Sequence, residues 1–365
     1  MLNIRLQEFA LPTSQRDADS LITWLIETLS LLRRRGEATA DGDTGSPIHR
    51  LLKERLLEHP NKSWDSNTLA DDLALTSASL HHHLTRLLDA GLIGSGNEGG
   101  RFRRYFLRGG GLEQAIELLA TKSKLILDQR MNWLATVWNR SEVRLDIELP
   151  DDDPLPTTIR IREYRPLLDD SDMSPMTHWM SDMGLLGDRP GAEAKTNSLS
   201  ERLFTILLNR AEPLSIDEAA ELAEGPKPRV GRILERFRAT GIVERVPRTD
   251  RLDSALWSAM TTQFSRRGSE WLLGRGGFQR FDVPQKVLSE LEKGKLTVDS
   301  LKKQISEIEV KDRMLLLNLL GGRLPLGHRL SGESPDMVKR RVLDRLDRIL
   351  RRLRRMCEML NETLA

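Results

Sequence analysis

A chain of 365 residues with 39% hydrophobic and 30% charged residues has room for about two to three domains, each with a core of its own. Its 56 basic and 54 acidic residues leave a formal net charge of only +2, which excludes a polycation, so any nucleic-acid affinity has to come from local clusters. Cys357 alone cannot build a disulfide framework, and neither a signal-peptide pattern nor a run of about 18 apolar residues occurs, so a cytoplasmic protein with a passive reduced thiol is expected.

The first predicted element is an apolar-rich helix over Asp17 to Arg35, with Leu21, Trp24, Leu25, Thr28, Leu29 and Leu32 along one side. It has to pack on the unit that follows or on a second copy of the chain.

From Thr68 the sequence reads as helix, turn, helix and hairpin. TLADDLAL gives a short positioning helix, and SLHHHLTRLLDAGLI places Leu80, Leu84, Leu87 and Leu88 at helical spacing, with Gly91 closing the helix. At about 100° per residue, Ser79, His82, Thr85 and Arg86 point away from that stripe, with His81 and His83 on its flanks. Together with Thr76 and Ser77 of the turn, these side chains suit the donor and acceptor pattern of a major groove. Successive helical histidines point in different directions and cannot share one tetrahedral ion, so no metal site is expected. Leu92 and Ile93 begin a strand, GSGNEGG forms a tip, and RFRRYFL returns with Arg101, Arg103 and Arg104 set for phosphate or minor groove.

Thr76, Ser77, Ser79, His82, His83, Leu84, Ala90, Gly91, Leu92 and Ile93 resemble the recognition segment of ArsR-like winged helix-turn-helix regulators. The resemblance implies a DNA-binding module, and such regulators often dimerise through flanking helices. Where metal-sensing members carry a cysteine pair this chain has Asp65 and Asn67, which excludes thiolate sensing.

After a helical stretch, VRLDIEL and TIRIREY alternate as two half-buried strands around the acidic loop DDDPLP, and Met173, Met176, Met180 and Met183 fall in a linker and pack on a neighbour. Offset by 150 positions, Leu80, Leu84, Leu87 and Gly91 fall on Val230, Leu234, Phe237 and Gly241. Leu199, Leu203 and Leu207 likewise match Ile48, Leu52 and Leu56 one residue out of register, which indicates a second, more divergent winged helix. Its outward positions are Arg229, Arg232 and Arg236, and its wing VPRTDRLDSALWSA carries Arg248 and Arg251.

The last segment is one long helix with Ser334 as cap and Pro335 in the first helical position. Val342, Leu346, Ile349, Leu353, Met356 and Leu360 form a coiled-coil-like seam, and nine Lys and Arg residues crowd its other faces. That helix reads first as a dimer or bundle helix, then as a nucleic-acid contact, then as a dock for an acidic partner.

The expected fold is mainly α with small β-hairpin wings. An N-terminal helix (1–40) precedes a first winged helix-turn-helix (46–111), an α+β connector (112–195), a second winged helix-turn-helix (196–262) and a C-terminal helical region (283–365). No phosphate loop, nucleophile elbow or spaced ligand set marks an enzyme, and no cofactor is expected. The function expected is a transcriptional regulator on double-stranded DNA, with homodimerisation through the N- or C-terminal helices, contact with the transcription machinery, and no membrane association. A winged-helix scaffold for protein complexes is the alternative.

Overall fold

The computed structural model describes residues 1–13, 17–32, 45–97, 103–139, 155–166, 173–187 and 196–364. Over these the chain is mainly helical, with three small antiparallel sheets. In its first half β1 (Asn3–Gln7) leads to α1 (Ala18–Thr28), and α2 (Pro47–Arg50) widens into a π-helical segment, Leu51–Leu57. Then come β2 (Trp64–Asp65), α3 (Ser66–Leu73), α4 (Ser77–Asp89), β3 (Ile93–Gly96), β4 (Arg104–Leu107) and α5 (Leu112–Val137). In the second half β5 (Thr158–Arg162), α6 (Pro175–Asp182), α7 (Leu199–Leu208), α8 (Ile216–Leu222), α9 (Lys227–Thr240) and β6 (Val243–Pro247) repeat that order. The chain continues through α10 (Leu252–Leu273), α11 (Gln285–Glu292), α12 (Val298–Gln304) and α13 (Val310–Leu319) before β7 (Leu326–Leu330) and α14 (Pro335–Leu364).

The caps follow from sequence. Asp17, Ser46, Asp65, Thr76, Ser174, Ser198 and Ser215 each turn a side-chain oxygen onto an orphan backbone N–H of the helix they precede. Asp65, at the place of the missing cysteine pair, accepts from the backbone of Asn67 and Thr68, and the Thr68 N–H foremost holds its carboxyl below the ordinary range. Gly91 and Gly241 follow the ends of α4 and α9 with φ of 73° and 87°, the left-handed conformation that glycine takes without strain. At Gly241 a side chain would also strike Arg345, whose guanidinium donates to the Arg238 carbonyl at 2.7 Å.

The duplication extends beyond the helices compared in sequence. In one sheet Trp64 faces Tyr105 and Ile93 faces Leu107; in the other Leu214 bridges to His328 and Val243 faces Leu330. The register is conserved, but the offset between halves is 150 from β2 to β6 and 223 from β7 onward. Seventy-three residues are therefore inserted between the two strands of the second hairpin. The wing expected at VPRTDRLDSALWSA does not form: β6 runs into a 3-10 turn, Thr249–Arg251, and then into α10. The second unit thus ends with β7 and α14 rather than at residue 262, and α10 to α13 pack around a separate core of Leu256, Met260, Leu272, Phe278, Leu301 and Leu316.

The two halves meet about an approximate two-fold axis. β1 and β5 pair antiparallel with Ile4, Arg5 and Leu6 opposite Ile161, Arg160 and Ile159, so the equivalent residues Arg5 and Arg160 face each other. The partner expected for TIRIREY was VRLDIEL, which lies outside the described residues together with 151–154 of the acidic loop; the strand found is the N-terminal one. α5 and α14 are likewise antiparallel. Glu117 pairs with Arg354, Lys124 with Asp347 at 2.6 Å, and Asp128 with Lys339 at 2.6 Å. With the 223 offset, Asp347 is the counterpart of Lys124, so the same axis passes between them. Two identical lysines there would repel; the fused chain places opposite charges.

This arrangement accounts for the long basic helix. Its seam from Val342 to Leu360 is buried, and many of its cations pair with carboxylates elsewhere in the chain. Arg348 and Arg352 meet Glu8, Arg341 meets Glu244, and Arg354 meets Glu117. α1 also packs on α14, so each of the two helices expected to dimerise the protein is covered by an element of the other half. Cys357 lies in that seam, where burial pushes its thiol up to about 12, so iodoacetamide should leave the folded protein unmodified at pH 8 and label it only in denaturant. No helix among the described residues is long and apolar enough to cross a membrane.

Candidate nucleic-acid interface

α4 buries Leu80, Leu84 and Leu87 and exposes Thr76, Ser77, His81, His82 and Thr85, with Ser79 half-buried. The Thr76 hydroxyl oxygen accepts from the Ser79 backbone at 3.2 Å, which fixes the first turn and leaves its other polar face outward. The three histidines diverge: His81 and His82 are exposed, whereas His83 is 8% exposed and lies within the unit. Among the described residues no three His, Cys, Asp or Glu side chains converge to hold a metal.

Arg86 departs from the expected outward face. Its guanidinium donates to the carbonyl of Leu31, just past the end of α1. The equivalent Arg236 donates to the carbonyl of Leu185, just past the end of α6, at 3.2 Å. Leu31 and Leu185 each close their helix by donating to Ile26 and Met180, five residues back. One contact repeated in both halves makes this pair positioning residues that seat α4 and α9.

On α9, Val230, Leu234 and Phe237 are buried while Lys227, Arg229 and Arg232 are exposed. Glu235, which interrupts the basic face in sequence, turns to Arg238 at 2.7 Å. Lys227 was missed as a site residue, although the 150 offset places it opposite Ser77. Arg248 departs from the wing role: it is 4% exposed and its guanidinium is spent on Glu218 and Asp250. Arg251 is exposed but sits on the same two carboxylates. The partners around Glu218 hold its carboxyl down to about 2, with the Ser215 backbone and Arg248 outweighing its partial burial.

In the first hairpin Arg104 donates to the Ser63 hydroxyl at 2.9 Å and to the Ser63 carbonyl at 3.0 Å, tying β4 to the segment before β2. Arg101 lies outside the described residues. Arg103 is exposed and lines a cleft of about 440 Å³ between α4 and the hairpin, together with His81, Thr85, Ser95 and Tyr105. Sequence periodicity put His81 on a flank and found no such cleft, because its far wall comes from the hairpin. Asp89 at its inner end is raised above the ordinary carboxylate range by burial.

Behind α9, His328 of β7 is 2% exposed, with Nε2 3.8 Å from Glu235. Burial first, then Arg238 and Arg245, lower its pKa to about 4 against the pull of Glu235. The unfolded chain therefore binds the extra proton between about pH 6.5 and 4. Stability is complete above that window and is lost as pH falls through it, by roughly 3 kcal/mol for a shift of this size. Unfolding midpoints measured from pH 7 to 4 should show this slope, and His328→Leu should flatten it. The carboxylate contribution of Glu218 acts in the lower window from about 4.5 to 2 and separates from it.

No model of a known protein family matches the chain, and no curated protein matches it.

Proposed function

We propose that this protein is a DNA-binding transcriptional regulator whose two halves are winged helix-turn-helix units. The observation that carries this reading is the pair of equivalent helices α4 and α9, each anchored by one apolar stripe and one arginine and each presenting a polar or cationic N-terminal face. α4 offers Thr76, Ser77, Ser79 and His82 to base edges in a major groove, and its hairpin offers Arg103 to a phosphate. α9 offers Lys227, Arg229 and Arg232 as phosphate contacts.

The test is a salt titration of binding to duplex DNA. Log affinity should fall linearly with log salt, and the triple change of Arg103, Arg229 and Arg232 to Ala should flatten that slope by about one unit per lost phosphate contact. An absence of duplex binding at low salt would sink the reading. The scaffold alternative draws support from the inserted helices, where Leu315 and Leu319 on α13 are 50% and 40% exposed. A scaffold would show no such salt dependence on DNA.

A further inference from the structure

The geometry points to a single-chain pseudo-dimer that occupies one asymmetric, two-part DNA site as a monomer, one half read by base contacts and the other held by phosphates. This inference rests on the DNA-binding reading for its ligand and on the fold for its stoichiometry. The terminal helices through which two copies are expected to associate are engaged inside the chain. β1 pairs with β5, α5 lies against α14, and α1 also packs on α14. Lys124 and Asp347 on the axis carry opposite charges, a pairing that two identical halves could not make.

Equivalent residues pair across β1 and β5 and across α5 and α14, so the halves that carry α4 and α9 are related by an approximate two-fold, the symmetry by which dimeric helix-turn-helix proteins engage paired half-sites. Its two contact faces have nevertheless diverged in chemistry. Where α4 has Ser77, Ser79 and His82, α9 has Lys227, Arg229 and Arg232 at the same positions. Arginine can read a guanine edge as well as a phosphate, but three cations within six residues give this half a charge that the first lacks, and added charge gains affinity on phosphates of any sequence. The hairpins have diverged too. The second carries the helical insertion between its strands and buries Arg248 at its base.

The experiment selects binding sequences from a randomised 30-base-pair duplex pool with the full chain, and weighs the free protein and its complexes by light scattering. The expected free species is one chain of 41.5 kDa, and the expected complex is one chain per duplex on a non-palindromic consensus with sequence information concentrated in one half. Ser77→Ala with His82→Ala should lower the preference for selected over unselected duplex about tenfold. Arg229→Ala with Arg232→Ala should weaken binding to selected and unselected duplexes alike, by about tenfold at fixed low salt. A free dimer, or two chains on a palindromic consensus, overturns the pseudo-dimer inference while DNA binding stands. No enrichment and no binding at low salt overturns the DNA reading, with the mass of the free chain still deciding the monomer.

Discussion

Phe237→Ala is expected to destabilise the body formed by the two halves by about 3–5 kcal/mol, the range for emptying a fully buried aromatic site. Phe237 projects from the inner face of α9 and is fully buried. It is the last member of an aromatic ladder that crosses the boundary between halves. Trp133 of α5 stacks on Trp179 of α6 with ring centroids 4.8 Å apart, Trp179 lies 5.4 Å from Phe204 of α7, and Phe204 meets Phe237 edge-on at 5.9 Å. The Trp179 indole N–H also donates to the Arg130 carbonyl at 2.8 Å, so the ladder is fixed at its centre by a satisfied polar group. Removing its end leaves α9 without the ring that sets its depth. Denaturant unfolding followed by far-ultraviolet circular dichroism should show the shift. Hydrogen exchange in 252–323 should stay unchanged, because those helices have a core of their own. Equal loss of protection there would show that the insertion folds only with the body.

The apolar stripes are legible in sequence because they are local and periodic, whereas the aromatic ladder joins residues from 133 to 237 on four helices and has no such local signal. Leu80, Leu84 and Leu87 report a buried helix face wherever that helix sits, and the match of Gly91 to Gly241 reports a shared helix end. Arg86 and Arg236 were not legible in the same way. Helical geometry places them outward, and only the approach of the α1 and α6 ends, through Leu31 and Leu185, supplies the carbonyls that draw them in. The second hairpin was misread for a related reason. A search for the returning strand looks a few residues ahead, whereas β7 returns after 73 inserted residues. The cations of α14 read as a free basic face because Glu8, Glu117 and Asp128, which receive them, are more than 200 residues away along the chain.

Glu244→Leu should cost about 3–5 kcal/mol, because it strands buried charge rather than removing a surface pair. Glu244 in β6 accepts from the Arg329 guanidinium of β7 at 2.7 Å, from Arg341 of α14, and from the Gly332 backbone at 3.3 Å. The Arg329 side chain is 4% exposed, so water cannot replace the lost carboxylate. This one side chain closes the neck at which the insertion leaves after Pro247 and returns at Leu326, and it ties that neck to the helix packed along α5. The paired change Glu244→Leu with Arg329→Leu separates charge from shape. An apolar pair leaves no buried charge behind, since the other partner, Arg341, is 38% exposed and can turn to water, and it should recover much of the loss, giving a coupling energy of about 1–3 kcal/mol in a double-mutant cycle of unfolding free energies. Additive losses in that cycle would mean that Arg329 is sustained by its other contacts and that the neck is held by the ladder of β6 and β7 alone.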